Sequence, residues 1–279
     1  MTKVIYATGL SGFIGSHLLK LLQDNYSFVV NFRRNNQVEI YQDDPVPIEE
    51  KFSKDLMSNF RANTLFHLAT NYDPNPKNIG DIEDLINSNF YFPANLIEKL
   101  EIDVSSFNLI TTSSYMQLLK KDQQNIYSMS KDLFLTWYKK TSKNLTNIYL
   151  YDSFGSNDLR DKVVDVFIKK ILQKEQLIIP ENEIQINLTE VGDIVHTLIN
   201  SISLERGEYQ ISSNKIFTLL ELAEFLMEII GHKVNIKRLG TGHNLISTID
   251  NHPQDIYFPN VNSNLDDQLK KRVEELSSN

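Results

Sequence analysis

Residues 8 to 15 read Thr8-Gly9-Leu10-Ser11-Gly12-Phe13-Ile14-Gly15, after the apolar run Val4-Ile5-Tyr6-Ala7 and before the helix-like stretch Ser16 to Leu22. Nothing else in the chain constrains its fold as much as three glycines at such a strand-to-helix junction. One glycine makes the tight turn, one lets the backbone approach a pyrophosphate, and one lets helix and strand pack closely. The free N–H groups of the helix start and the helix dipole then face negative phosphate. A glycine triplet alone is common. At this junction it predicts the first βα unit of a dinucleotide-binding sheet.

The first half continues the alternation. Lys3–Thr8, Phe28–Phe32, Thr64–Ala69, Phe107–Thr112 and Asn147–Tyr151 read as strands, and Phe13–Gln23, Ile82–Leu100 and Ser128–Ser142 as helices. This order favours a parallel sheet with helices on both faces and ligands at one edge of the strands. After Gly155 the pattern changes. Val163–Leu172, Asp193–Ile202 and Leu219–Ile230 read as helices with short extended pieces between, and Leu265–Leu276 as a charged terminal helix.

Bulk properties close off several classes. The 279 residues suffice for one large domain or two modest ones. The net charge, 28 − 36 = −8, opposes a nucleic-acid partner. Lys139-Lys140, Lys169-Lys170 and Lys270-Lys271-Arg272 read as solvated helix faces. Without cysteine there are no disulfides, thiolate chemistry or cysteine–zinc sites. The six histidines lack metal-ligand helical spacing, so no metal is expected, and His67 reads as a structural histidine. No run reaches the ~18 uncharged apolar residues of a membrane helix. A strand expected from Lys3 leaves no room for a signal peptide. The expectation is a cytoplasmic protein with no membrane partner.

Tyr127-Ser128-Met129-Ser130-Lys131 places a tyrosine and a lysine four apart, on one face of a helix. Fourteen residues before Tyr127, Ser113 ends an apolar run and its two threonines. With the glycine turn, these residues resemble the extended short-chain dehydrogenase/reductase family, also called the NAD-dependent epimerase/dehydratase family. It contains nucleotide-sugar epimerases, dehydratases and 4-ketoreductases. The resemblance covers nearly the whole chain and is strongest from Lys3 to Gly155. It implies an α/β fold, with a Rossmann-type doubly wound parallel sheet over residues 1–155 and a smaller α/β substrate-binding domain over 156–279. Residues 190–203 would pack back on the first domain.

The resemblance assigns the dinucleotide to Gly9, Ser11, Gly12, Phe13 and Ile14. Its adenine would meet Asp55-Leu56, and the strand end Leu68-Ala69-Thr70 after His67 would line it. Asn89 matches an asparagine whose usual role is structural and local. An acidic residue at the end of the second strand would bind the free ribose hydroxyls of NAD. Here that strand ends Val30-Asn31-Phe32-Arg33-Arg34. Arginine suits a 2′-phosphate through charge and its bidentate fork, so NADP(H) is the expected cofactor.

Carbonyl reduction needs a hydride, a proton donor and a group that holds the developing oxyanion. Tyr127 would give the proton. A free tyrosine has a pKa near 10, and a lysine ammonium one turn away favours its phenolate. Lys131 would also hold the nicotinamide ribose, and Ser113 would align the substrate oxygen. The family's dehydratases place an aspartate and a glutamate after the serine/threonine position, whereas here Ser114 and Tyr115 follow. Elimination of water is therefore not expected.

The short Ser113–Tyr127 loop and His67-Leu68-Ala69-Thr70-Asn71-Tyr72 look most like the subgroup of CDP-abequose and CDP-paratose synthases. The activity implied is NADPH-dependent reduction of the 4-keto group of a nucleotide-linked 6-deoxy or 3,6-dideoxy hexulose. This is deoxysugar chemistry of the kind that feeds lipopolysaccharide O-antigen synthesis. Tyr72, Ser114, Tyr115 and Asp152 are the substrate-side candidates. Two readings stay open beside it: an NAD(P)-dependent nucleotide-sugar epimerase, and a dinucleotide-binding relative without turnover. Arginines that the family often carries are absent before Val191-Gly192-Asp193 and near His252-Pro253-Gln254-Asp255, so CDP, dTDP and GDP all stay open. The family pairs through its two long helices, which makes a homodimer the expectation. Phe134, Leu135 and Trp137 fit either that contact or the core.

Overall fold

The computed structural model describes residues 3–101, 106–213, 215–242, 246–249, 252–256 and 264–278. The chain divides into two compact units, Met1–Tyr149 with Leu198–Tyr209, and Leu150–Thr197 with Gln210–Asn279.

The first unit begins with β1 (Val4–Thr8), α1 (Phe13–Asn25) and β2 (Phe28–Phe32). β3 (Gln37–Tyr41), β4 (Ile48–Lys51), the short α2 (Lys54–Ser58) and β5 (Thr64–His67) follow. Next come α3 (Ile79–Ile86), a π-helical turn (Asn87–Tyr91) and α4 (Phe92–Lys99). β6 (Asn108–Ser114), α5 (Ile126–Thr141) and β7 (Leu145–Leu150) complete the run. The strands stand in the order β7-β6-β5-β1-β2-β3-β4. β1 pairs in parallel with both β2 and β5, and β5 with β6. This is the doubly wound Rossmann arrangement expected from the sequence. Val30, Leu65, Leu109, Leu96, Phe134 and Tyr138 join one apolar cluster, which draws on strands and helices alike.

One edge departs from an all-parallel sheet. β3 runs antiparallel to both β2 and β4. The reversal is made by Arg33 to Asn36: the Arg33 N–H donates to the Gln37 carbonyl, the Asn36 N–H donates to the Arg33 carbonyl, and Asn36 takes φ 63°. The turn carries no glycine, and asparagine is a residue that tolerates this backbone region. β4 is exposed throughout and reads Ile48-Glu49-Glu50-Lys51. Such charges blunt an open edge.

The expected single helix from Ile82 to Leu100 is continuous helical backbone from Ile79 to Lys99 in which a π turn widens the hydrogen-bond ladder. Pro93 has no N–H with which to continue the i→i−4 ladder, and the Phe92 N–H instead reaches back five residues to the Asn87 carbonyl. α1, α5 and the five expected strands lie within a few residues of where the sequence puts them.

The second unit starts with β8 (Asp152–Phe154), α6 (Val163–Leu172), β9 (Leu177–Ile179) and β10 (Gln185–Glu190). α7 (Val191–Asn200) and β11 (Gly207–Ile211) straddle the division. β12 (Ile216–Thr218), α8 (Leu219–Ile230), β13 (Ile236–Arg238) and α9 (Leu265–Ser277) follow. β10 pairs parallel with β8 and antiparallel with β12. Phe154, Phe167, Leu188, Leu222 and Leu269 share its core. Within that unit the buried Arg272 forks onto buried Asp165, Nε to Oδ1 at 2.9 Å and Nη2 to Oδ2 at 2.5 Å.

Candidate active site

The carboxyl ends of β1, β5 and β6 assemble the candidate site in the first unit. After β1, Gly9 has φ 78°, and the Gly12 N–H closes the turn onto the Gly9 carbonyl at 3.0 Å. A Cβ at Gly9 would lie 2.5 Å from the backbone nitrogen of Ala69, and one at Gly15 would lie 2.1 Å from the Gly9 carbonyl oxygen. Neither position admits a side chain. Gly12 is the N-cap of α1, with no side chain on the first N–H groups. A cradle that a Cβ would fill, at an uncapped helix start, fits the pyrophosphate of a dinucleotide. Ser11, Phe13 and Ile14 belong to this turn, and the ring of Phe13 packs edge-on against His17 at 5.6 Å.

At the end of β5, His67 is buried and its Nδ1 lies 2.8 Å from Thr8 Oγ1. Thr8 Oγ1 also accepts from the Ala69 N–H, so β1 and the Leu68-Ala69 strand end are tied together. Burial first, and the Lys131 charge second, push His67 down to about 3, which leaves its ring neutral. Thr70 and Asn71 are held by Asn89. The Asn89 Oδ1 accepts from Thr70 Oγ1 and from the Asn71 N–H, each at 2.9 Å, and its Nδ2 donates to the Asn71 carbonyl and to Ser130 Oγ. Asn89 sits in the π turn. That widened turn connects the loop after β5 to the residue beside Lys131.

Tyr127 and Lys131 lie on one face of α5, whose start is capped by Asn125 accepting from the Ser128 N–H at 2.9 Å. Tyr127 is buried, and the ring of Tyr72 stands edge-on against it at 4.9 Å. Lys131 Nζ is 5.9 Å from the Tyr127 ring centroid. Burial pushes the Lys131 ammonium down to about 8. Among the described residues no carboxylate pairs with it. Ser113, buried near the end of β6, donates to Asn147 Oδ1 of β7 at 2.7 Å. This bond fixes the hydroxyl at the strand end.

The other predicted residues are distributed as follows. Ser114 is a cap: its Oγ accepts from the Met116 N–H, while its own N–H donates to Gln117 Oε1. Tyr115 opens the short 3-10 turn behind it. Asp152 belongs to the second unit, where burial pushes its carboxyl up against the opposing charges of Lys162 and Arg160. Phe134 and Leu135 are core, and Trp137 packs against that core. The exposed apolar side chains of α5 are instead Ile126, Met129 and Leu133.

Asp55 is exposed in the first turn of α2, and Leu56 packs on the core. Neither lines the cavity at the end of β2. This cavity, of about 260 Å³, is lined by Arg33, Arg34, Lys99, Phe52 and Tyr91 among others. The N-cap Ser53 fixes the start of α2, so it is Phe52, just past β4, that reaches the cavity. Arg34 Nη1 bonds Ser88 Oγ, and Arg33 Nη1 pairs with Glu39 Oε1 at 2.6 Å.

Two residues escape a reading of the sequence, and a third, Asn89, is named there without its mechanism. Asn147 and Glu39 act across neighbouring strands, a relation that depends on register. Asn89 acts through a π turn that periodicity does not reveal. Glu39 had one signal, the alternation Gln37-Val38-Glu39-Ile40-Tyr41, which puts it on the face opposite two apolar residues.

Residues 5–201 match the model of the NAD dependent epimerase/dehydratase family. The chain is 28% identical over 253 residues to CDP-abequose synthase of Yersinia pseudotuberculosis, covering 85% of this chain and 87% of that one. It is also similar to the Bordetella bronchiseptica enzyme WbmF, solved with NADH, at 20% identity and a TM-score of 0.73 over 100% of this chain and 93% of that one. RMD from Pseudomonas aeruginosa, solved with NADPH, gives 17% identity and a TM-score of 0.69 over 100% and 98%.

Proposed function

Because the chain belongs to the NAD dependent epimerase/dehydratase family, we propose that it is an NADPH-dependent reductase of the 4-keto group of a nucleotide-linked 6-deoxy or 3,6-dideoxy hexulose. The observation that carries this reading is the turn after β2. It offers Arg33 and Arg34, beside Lys99, in a cavity where the strand end has Asn31 and no carboxylate of its own. Cations there suit a 2′-phosphate, the mark of a cofactor spent and exchanged in a net reduction. The relatives support the reading from both sides. One is named for CDP-abequose synthesis, and solved neighbours carry NADH or NADPH.

The glycine turn would hold the pyrophosphate, Leu68 to Thr70 would line the dinucleotide, and Lys131 would bond the nicotinamide ribose. When bound, the reduced nicotinamide supplies the hydride. Tyr127 donates its phenolic proton to the carbonyl oxygen. Lys131 stabilises the phenolate left behind, an ammonium one helical turn away that burial has already made reluctant to stay charged. Ser113 would turn its single hydroxyl proton from Asn147 Oδ1 to the same oxygen. Tyr72, whose ring stands against Tyr127, would bound the substrate with Ser114 and Tyr115, and Asp152 is a further substrate-side candidate. The enzyme works in the cytoplasm as a homodimer, with Ile126, Met129 and Leu133 of α5 as the apolar contact.

The test is NADPH oxidation by the purified protein, against NADH, on CDP-, dTDP- and GDP-linked 4-keto-6-deoxy and 3,6-dideoxy sugars. Turnover with one sugar, faster with NADPH and absent in Tyr127→Phe, is the expected result. Redox-neutral isomerisation of a sugar nucleotide, with no NADPH consumed, would replace the reductase by an epimerase.

A further inference from the structure

The hairpin that the sequence did not announce carries a buried acid. Glu39 of β3 stands directly opposite Asn31 of β2 in the antiparallel register. It is 6% exposed, and both carboxylate oxygens are engaged. Oε1 accepts from Arg33 Nη1 at 2.6 Å, and Oε2 accepts from Asn31 Nδ2 at 2.6 Å and from the Tyr41 hydroxyl at 3.2 Å. Asn31 passes the contact on: its Oδ1 faces the Leu10 N–H of the glycine turn at 3.5 Å. Burial, then the charge of Glu39, pushes the Tyr41 hydroxyl up to about 12.

We infer that Glu39 sets how strongly the protein discriminates between NADP(H) and NAD(H), acting through Arg33. This rests on the NADP reading of the Arg33–Arg34 turn. The carboxylate draws the Arg33 guanidinium back toward the sheet and neutralises it locally. Arg34, which bonds the neutral Ser88 hydroxyl, is left as the turn's cation with no carboxylate among the described residues, beside Lys99 on α4. A 2′-phosphate entering the cavity, which Arg33 lines and Glu39 does not, meets less positive potential than two arginines in sequence suggest. The free ribose hydroxyls of NAD(H) carry no charge and are indifferent to it. Glu39 is thus a positioning residue that touches no cofactor. It trades affinity for the phosphorylated cofactor against a fixed arginine and an oriented Asn31.

The experiment is equilibrium binding of NADPH, NADH, 2′,5′-ADP and 5′-AMP to the full chain, by titration calorimetry. The proteins are the wild type, Glu39→Gln, Glu39→Asp, Arg33→Met and the double variant Arg33→Met/Glu39→Gln. Glutamine keeps an acceptor for Asn31 and removes the charge. The expected result is that Glu39→Gln tightens NADPH and 2′,5′-ADP by roughly fivefold, the scale of one unit charge at a half-exposed site. NADH and 5′-AMP should stay within about twofold, where no charge is at stake. Glu39→Asp, whose shorter arm releases Arg33, should move the same way by less. The effect should vanish in the Arg33→Met background. Equal changes for the phosphorylated and unphosphorylated ligands, or a gain that survives Arg33→Met, would overturn the inference. Wild-type protein that binds 2′,5′-ADP no more tightly than 5′-AMP, with Arg33→Met unchanged, would instead overturn the NADP reading itself.

Discussion

The two ends of one sheet edge treat their cations in opposite ways. Beside β5 and β6, Lys131 is enclosed with no carboxylate of the described residues against it, and burial pulls its ammonium down to about 8. Beside β2, Arg33 remains 42% exposed in its side chain and is answered by buried Glu39 at 2.6 Å. A chain selected for stability alone would do the reverse, because an enclosed charge without a partner costs far more than an exposed one. The lysine end accepts that cost, and poised proton chemistry is a reason to accept it. The arginine end has geometry to keep, and a fixed pair keeps it.

Tyr127→Phe should break the lysine end's function outright. Turnover on the responding sugar should fall by about 10³-fold, the scale of a lost general acid. NADPH affinity should stay within about twofold, because the ring and its packing against Tyr72 remain. Parallel kinetics and calorimetry check both halves. A variant retaining a tenth of the activity would move the proton donor elsewhere.

The same enclosure predicts an acid-labile fold. His67 sits at about 3 when folded, below the ordinary histidine value of 6.5. Between those values the unfolded chain binds a proton that the folded chain refuses, so stability falls as pH drops from 6.5 toward 3. Urea midpoints at pH 6.5 and pH 4 should differ by about 2–3 kcal/mol in unfolding free energy. His67→Gln should flatten most of that slope. A slope that persists in the variant would put the acid sensitivity in other groups.

The lysine end is also the end that the sequence makes legible. A glycine turn, a strand end, and a tyrosine and lysine one turn apart are local patterns, and local backbone rules decide where their side chains go. Strand and helix positions follow from the same rules, which is why α1, α5 and the parallel strands match the structure closely. The arginine end is opaque because its meaning is relational. Arg33 and Arg34 read alike in the sequence, yet one is paired by a residue six positions later and the other bonds Ser88 of the π turn. The short helix that starts at the Ser53 cap and carries Asp55 is likewise not announced by periodicity. Just before Pro93 a π turn widens a helix whose apolar periodicity runs on unbroken. In each case register or capping outweighs the motif.

Removing the lysine should make the apo-protein more stable, the opposite of an ordinary deletion. In Lys131→Met the enclosed ammonium becomes an apolar chain of similar length. Its folded value of about 8 lies below the free value of 10.5. The cost of burying the charge is therefore fully present below pH 8 and is relieved as pH rises from 8 to 10.5, where the unfolded chain alone keeps the proton. Unfolding free energy should rise by roughly 2 kcal/mol at pH 7, after allowance for the partial access of the residue. The gain should shrink to under about 0.5 kcal/mol by pH 10.5. Denaturant curves at the two pH values test it. A variant less stable than wild type at pH 7 would mean that Lys131 is held by more than enclosure.

The smallest effect should come from the paired arginine, and its sign completes the contrast. Arg33→Met removes one exposed partner and leaves Glu39 buried with Asn31 and Tyr41 still donating to it. Two donors keep most of that carboxylate's solvation, and the pair itself is half open to water. The loss should be about 0.5–1 kcal/mol, falling further in 1 M salt, where screening acts within about 3 Å. If the loss instead exceeds about 2 kcal/mol and ignores salt, the pair behaves as a buried one. The arginine end would then share the lysine end's economy, with a charge whose place in the fold is dictated by its neighbours rather than by solvent.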